Sequence, residues 1–149
     1  AVAAMSRIAS QAEGAMLSLP KPACPDNPAE FQAYVLSEAA AFVAENMGAN
    51  AIVAPTRSGR TPLYISRGRP PVPIIAPTES CRVARRMCLY WGVRPMAMHA
   101  ASTVDETLEQ AGRAAIRSRL MHKGDTIVIA SGAHGRKDDI TRLVEVRRI

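Results

Sequence analysis

The fold is indicated first by residues 51–62, which read AIVAPTRSGRTP. A short apolar run leads into a loop of threonine, arginine, serine and glycine, and Thr61-Pro62 then suits the start of a helix. Because the run is apolar at nearly every position, it is typical of a parallel strand that is buried on both faces. The stretch therefore predicts one strand–loop–helix unit of an α/β protein.

Downstream of this stretch the same unit recurs. Further short, mainly apolar runs lie at 73–78, 93–98, 126–131 and 142–149. Helices are predicted between them, after Thr61, from 79 to 90 and from 104 to 122. This alternation predicts an open, doubly wound, mostly parallel five-stranded α/β sheet with helices on both faces. Partly by analogy with such folds, we expect the strand order 3-2-1-4-5, with the last strand as an antiparallel edge.

Capping residues mark the helices near the N-terminus. Apolar residues at three- and four-residue spacing predict a first helix over 1–17, and a proline-rich linker follows it. Asn27 is a suitable N-cap for a second helix, and Glu30 sits where a capping-box carboxylate reaches back to the cap. We expect this helix to run to Met47 and to stop at Gly48.

The last helix and the last strand carry their own signals. The capping box Thr103-x-x-Glu106 predicts the start of the 104–122 helix, and Gly124 its stop. The residues of this helix that face the core are predicted to be Val104, Leu108, Ala111 and Ala115. The run at 142–149 alternates with a period near two, which favours an edge strand with one face in water. Its inward residues are predicted to be Val144, Val146 and Ile149.

Length and composition limit the class of protein. The 149 residues suffice for one domain with one hydrophobic core. With 48% hydrophobic and 21% charged residues, the chain lies far from the composition of disordered proteins. No apolar run approaches the roughly 18 residues that a membrane span needs. We therefore expect a folded protein with no membrane partner.

Charge and cysteine content indicate the partners and the compartment. Nineteen basic against thirteen acidic residues give a net charge of +6, which favours anionic partners such as phosphometabolites, nucleic acid or acidic protein. An aromatic content of 4% is low for a protein that stacks single-stranded bases. The three cysteines form no CxxC pair, so neither a disulfide framework nor a zinc site is suggested. A reducing, cytoplasmic location is the default expectation.

The loop at 56–61 contains the parts of a phosphate-binding site. The start of a helix offers unpaired N–H groups and a partial positive charge, and glycine lets a phosphate approach the backbone closely. Hydroxyl groups add donors, and an arginine presents a planar fork to phosphate oxygens. The predicted site residues are Thr56, Arg57, Ser58, Gly59, Arg60 and Thr61. The alternative interpretation is that Thr61 only caps its helix and that both arginines are solvated.

A second loop with hydroxyl, glycine and positive charge follows the 126–131 run. Its candidate residues are Ser131, Gly132, His134, Gly135, Arg136 and Lys137. In an open α/β sheet, ligands bind outside the carboxyl ends of the strands where the strand order reverses. In the order 3-2-1-4-5 this loop and the 56–61 loop leave neighbouring strands, so they would form one anion pocket. The alternative is a surface hairpin before an edge strand.

A search for catalytic motifs finds none. The chain has no GxSxG elbow, Walker loop, GxGxxG or HExxH motif. His134 and the pair Asp138-Asp139 are the only candidates for a small enzyme, and adjacent aspartates in a loop are usually solvated turn residues. Three arginines share one predicted helix: Arg82, Arg85 and Arg86. They are interpreted first as a solvated face, next as interface ion pairs, and last as a nucleic-acid contact.

In four segments the chain resembles a known family, the C-terminal domain of pyruvate kinase. The matching segments are AIVAPTRSGRTP, then ISRGRPPVPIIAPT at 65–78, ARRMCLYWGVRP at 84–95 and KGDTIVIASG at 123–132. They stand in the family's order over about residues 35–149. The N-terminal residues AVAAMSRIASQAE look like the closing helix of that enzyme's catalytic barrel. The resemblance thus divides the chain into a barrel helix at 1–20 and a C-terminal α/β domain at 21–149.

The resemblance implies a regulatory and assembly domain. The family's catalytic residues and its magnesium and potassium sites belong to the barrel and its lid, so this chain holds no cofactor and is expected to be inactive alone. The effector phosphate would rest on residues 56–61, and the effector loop would correspond to 131–137. The effector stays open among a sugar bisphosphate, a sugar monophosphate and AMP, and no effector at all is also possible. Homo-oligomers would form through the edge strand Arg142–Ile149.

Two kinds of function are therefore weighed. The first is an allosteric and oligomerisation domain of pyruvate kinase, which in the full enzyme transfers a phosphoryl group from phosphoenolpyruvate to ADP. The expected partners are a sugar phosphate or nucleotide effector, the catalytic barrel and a second copy of the chain. The alternative is a stand-alone module that binds phosphate or nucleic acid, although the low aromatic content disfavours nucleic acid.

Overall fold

The fold is taken from a computed structural model, which describes residues 2–15, 23–99, 103–117, 120–132 and 141–149. Five helices and five strands alternate along most of the chain. The helices are α1 (Val2–Ala15), α2 (Pro28–Asn46), α3 (Arg60–Arg67), α4 (Cys81–Met87) and α5 (Val104–Arg117). The strands are β1 (Ala51–Val53), β2 (Ile74–Thr78), β3 (Val93–Ala97), β4 (Thr126–Gly132) and β5 (Thr141–Arg148).

The strands form one sheet in the order β3-β2-β1-β4-β5. The pairs β1–β2, β1–β4 and β2–β3 are parallel, whereas β4 and β5 are antiparallel with an irregularity between Ser131 and Gly132. The predicted fold class and strand order are confirmed. Since β1 and β4 are neighbours on either side of the reversal in strand order, the loops that follow them leave the same edge of the sheet.

The sheet is covered on both faces, which explains the nearly continuous apolar runs. Helices α2, α3 and α4 pack on one face, where the fully buried residues include Ala40, Ala44, Ile52, Ile65, Ile74 and Met87. The opposite face packs against α5 and the segment after it, around Ala51, Val53, Ile75, Leu108, Met121, Ile127 and Ile129. Alternate residues of β1 and β4 thus face different helices.

Helix α2 begins and ends as its sequence predicts. Asn27 is the N-cap, and its side-chain oxygen accepts from the backbone N–H of Ala29 at 2.9 Å. Met47 is the C-cap, and Gly48 takes a left-handed conformation with φ +61°. The reciprocal half of the capping box is replaced, because Glu30 accepts a hydrogen bond from the side chain of Arg60 instead.

The predicted lengths of helices α5 and α4 are wrong in part. Helix α5 has the expected cap, since Thr103 accepts from the N–H of Glu106 at 3.1 Å, but it ends at Arg117 rather than at His122. Met121 is buried without being helical, and the N–H of His122 donates to Asp125 in a turn that precedes β4. A residue inside the predicted helix range is thus buried in the core outside any helix. Helix α4 is also shorter than the predicted 79–90.

Strand β5 does not have one dry and one wet face. Val144 packs against the core on the α2 side and Ile149 against the core on the α5 side, while Val146 is 39% exposed. Arg147 bonds to Glu145 on its own strand and to Asp105 on α5. The hydrogen bond to Glu145 is the largest cause that raises the pKa of Arg147, against partial desolvation. The guanidinium therefore keeps its charge and ties β5 to α5.

Candidate functional site

The 56–61 loop connects the end of β1 to α3 and holds its own backbone groups. Gly59 precedes the helix as its N-cap with φ +81°, a left-handed conformation that glycine adopts without strain. The hydroxyl oxygen of Thr56 accepts from the N–H of Gly59 at 2.8 Å, and that of Ser58 accepts from the N–H of Arg60 at 3.3 Å. The loop is thereby fixed in one conformation before any ligand arrives.

Thr61 is placed differently from either interpretation of the sequence. It is the second residue of α3 rather than its cap, so the interpretation as a capping residue is wrong. Its hydroxyl lies 2.8 Å from the hydroxyl of Thr141, the first residue of β5, and both residues are buried. This contact attaches the start of α3 directly to the start of the edge strand.

Ser131 lies beside the same loop on the neighbouring strand. The parallel register pairs Val53, the last residue of β1, with Ile129, and Ser131 follows Ile129 by two residues towards the end of β4. Ser131 is only 4% exposed, and its hydroxyl has no hydrogen-bond partner among the residues that the structure describes. A buried hydroxyl without a partner is costly, so it marks a place where a polar ligand or water is expected.

The two ends of the second predicted loop therefore lie against the first. Strand β4 ends at Gly132, at the same edge of the sheet as the 56–61 loop, and β5 begins at Thr141, in contact with Thr61. The residues between these ends, which include the predicted His134, Gly135, Arg136 and Lys137, lie outside the described part of the chain. So do Asp138 and Asp139.

The charged groups of the site do not all point to one place. Arg60 donates to Glu30 of α2 at 3.0 Å, and both side chains are about half exposed. An ion pair at such exposure contributes little to stability, but it orients the Arg60 guanidinium toward α2. The prediction that Arg60 offers its fork to a phosphate does not describe this conformation. Arg57 is exposed at the tip of the loop.

Two contacts of the site were missed from the sequence. One is the Thr141 hydroxyl, since no pattern links it to a residue 80 positions earlier. The other is Arg86 of α4, whose Nη2 donates to the main-chain carbonyl of Ser58. Arg86 had been noted only as part of an arginine cluster. The usable signal was its place on the helix that follows β2, the strand beside β1.

The described residues provide no other candidate centre. Cys24, Cys81 and Cys88 are free thiols at the surface, and His99 and His122 are exposed on separate segments. In the ranges that the structure describes, no three histidine, cysteine, aspartate or glutamate side chains lie close enough to hold a metal ion. None of the helices there combines the length and the apolar character that crossing a membrane requires.

Comparison with known proteins agrees with the fold. Residues 35–146 match the family described as the pyruvate kinase alpha/beta domain. The pyruvate kinase of Geobacillus stearothermophilus is 40% identical over 114 residues, which cover 76% of this chain and 19% of that protein. The pyruvate kinase of Methylorubrum extorquens is 33% identical over 141 residues, which cover 89% of this chain and 28% of that protein. The chain thus spans about a fifth of the length of the first relatives it matches.

Proposed function

Because the chain belongs to the pyruvate kinase family, as the C-terminal α/β domain of that family, we propose that it regulates and assembles a longer enzyme. In that enzyme a catalytic barrel transfers a phosphoryl group from phosphoenolpyruvate to ADP in the cytoplasm. The present chain contributes an effector site and a surface for association. The magnesium and potassium ions of the reaction are proposed to bind in the barrel, as the resemblance to the family implies.

The proposed effector is a small phosphorylated metabolite that binds between the 56–61 and 131–137 loops. One observation carries this proposal: the 56–61 loop, Ser131 and Thr141 meet at the carboxyl ends of β1 and β4. That position is where open α/β sheets bind ligands. The buried hydroxyl of Ser131 supports it further, because an anion or its bound water would supply the missing hydrogen bond.

Each part of the 56–61 loop has a task in this proposal. The partial positive charge at the start of α3 attracts the phosphate. Hydroxyls of the loop donate to phosphate oxygens while their own oxygens keep accepting from the backbone. Arg57 supplies positive charge at the exposed tip of the loop. Arg60 stays on Glu30 and holds the loop against α2.

Regulation would act through β5. The strand begins at Thr141, which bonds to Thr61 of the proposed site, and it forms one outer edge of the sheet. An exposed edge strand is a template for pairing with a second copy of the chain. Binding of an effector would stabilise one position of β5, and thus one packing of the subunits, relative to others.

The N-terminal helix is proposed to belong to the catalytic barrel, with the regulatory domain beginning near residue 21. All side chains from residue 2 to residue 13 are exposed, including the large apolar ones Val2, Met5 and Ile8. An apolar helix face that this domain leaves in water is expected to pack elsewhere in the longer protein. The exposure of this apolar face supports the division of the chain at residue 20.

Calorimetric titration of the chain tests the effector site. The probes are fructose 1,6-bisphosphate, glucose 6-phosphate and AMP, with unphosphorylated fructose as the control. We expect one phosphorylated probe to bind with a dissociation constant below the millimolar range and fructose not to bind. If no phosphorylated probe binds below that range, the effector site is refuted and an assembly role alone remains.

The net charge of +6 is the observation that favours a second candidate, a stand-alone nucleic-acid-binding module. A protein that binds the phosphate backbone loses affinity steeply as salt concentration rises. Titration of the chain with a random DNA duplex at increasing salt therefore separates the two functions. Tight binding with a steep salt dependence would favour this module over the effector site.

A further inference from the structure

Helix α4 carries three arginines, and only one of them contacts the loop at 56–61. Arg86 Nη2 donates to the carbonyl of Ser58, whereas Arg82 and Arg85 have no hydrogen bond or ion pair among the described residues. We propose that Arg86 is a positioning residue of the effector site, which fixes the peptide group between Ser58 and Gly59 and with it the start of α3. This inference deepens the proposed function and rests on it.

The peptide between Ser58 and Gly59 is held at both ends. In a trans peptide the carbonyl and the N–H point in opposite directions. Here the carbonyl accepts from Arg86, and the N–H donates to the Thr56 hydroxyl at 2.8 Å. Two opposed hydrogen bonds stop the peptide plane from rotating. The start of α3, with the N–H of Thr61, is thereby kept in place.

Packing at Gly59 shows that α4 and the loop are fitted to one another. A Cβ atom on Gly59 would lie 3.2 Å from Arg86 Nη2 and 3.3 Å from both Val83 Cγ1 and Met87 Cγ. Met87 is fully buried, so it anchors this part of α4 in the core. The guanidinium therefore reaches the loop from a rigid support, and the contact does not depend on a mobile surface helix.

The chemistry of arginine suits this task. Its guanidinium remains charged at all relevant pH values, and a hydrogen bond from a charged donor is stronger than one between neutral groups. One N–H of the Arg86 guanidinium donates to the carbonyl of Ser58, and the positive charge of this group lies beside the loop. Arg86 thus holds the backbone and adds to the attraction for an anion. Arg82 and Arg85 make no such contact with the loop.

Amide hydrogen exchange of this chain tests the positioning role without any ligand. Arg86→Met removes the donor and keeps most of the apolar side chain, and Arg85→Met is the matched control on the same helix. We expect the Gly59 amide to exchange about tenfold faster in Arg86→Met, in line with the loss of one charge-assisted hydrogen bond. The reference amide of Val128 in β4 should be unchanged. Equal exchange at Gly59 in both variants would overturn the proposal.

Calorimetry with the phosphorylated probe that binds best connects this role to binding. The dissociation constant is expected to rise about tenfold in Arg86→Met, to rise less in Arg86→Lys, and to change less than twofold in Arg85→Met. Equal weakening in Arg86→Met and Arg85→Met would show a general charge effect and would overturn the inference. If no probe binds the unmodified chain, the proposed function fails, and the exchange experiment still decides whether Arg86 positions the loop.

Discussion

The 56–61 loop and helix α1 are both surface regions, yet they are held in different ways. The loop is tied to α2 through Glu30, to α4 through Arg86 and to β5 through Thr141. Helix α1 leaves apolar side chains such as Met5 and Ile8 about two-thirds exposed. The loop is preorganised around polar groups, as a site for a small ligand requires. The helix offers apolar area, which fits a protein surface.

The largest effect is expected when the packing of the loop is broken at Gly59. Gly59→Ala places a side chain on a left-handed residue and within 3.2–3.3 Å of three α4 side chains, so we expect a loss of about 2–4 kcal/mol in the free energy of unfolding. Gly48→Ala is the control, because its φ is also positive but no atom lies within 4 Å. It should lose about 1–2 kcal/mol. Equal losses of unfolding free energy in urea denaturation would show that the α4 side chains do not restrict the space at Gly59.

The second prediction concerns ligand affinity at the loop. Arg57→Ala and Ser58→Ala should each weaken binding of the phosphorylated probe by about 1–3 kcal/mol, because each removes a hydrogen-bond donor to an anion. Arg94→Ala, on the outer strand β3, removes the same charge away from the site. Calorimetry should leave its affinity nearly unchanged. A similar loss in Arg94→Ala would point to net charge rather than to a defined site.

A smaller effect is expected where the loop meets the edge strand. Thr141→Val leaves the buried Thr61 hydroxyl without its partner, which should cost about 1–2 kcal/mol of unfolding free energy. Thr141→Ser keeps the hydroxyl and should cost less. The double variant Thr61→Val/Thr141→Val should be less destabilised than the sum of the single variants. Additive losses in a thermal or urea series would mean that the two hydroxyls do not interact.

The smallest effect is expected at α1. Met5→Ser and Ile8→Ser change exposed side chains, so the free energy of unfolding of this chain should move by no more than about 0.5 kcal/mol. Chemical denaturation measures this directly. A loss above 1 kcal/mol would show that α1 packs against the α/β domain after all, and the contrast between the two regions would then disappear.

The fold class was predictable from the sequence, and the strand order, which was expected partly by analogy, is confirmed. Runs that are apolar at every position, such as 51–54 and 127–130, identify strands buried on both faces. The end of α5 was not predictable in the same way. Met121 lies within the predicted helix range, and Gly124 resembles a helix stop, yet both belong to the irregular segment before β4. Hydrophobic periodicity indicates that a residue is buried, but it does not indicate which backbone conformation the residue adopts.

By itself, the sequence determined which segments are buried strands and where α2 begins, because apolar runs and a capping asparagine act over a few residues. Only the tertiary structure decided that Glu30 bonds to Arg60, that Arg86 bonds to Ser58 and that Thr61 bonds to Thr141. These partners lie 30, 28 and 80 residues apart along the chain. Such contacts depend on strand order, register and helix placement together, and no local pattern of residues encodes that combination.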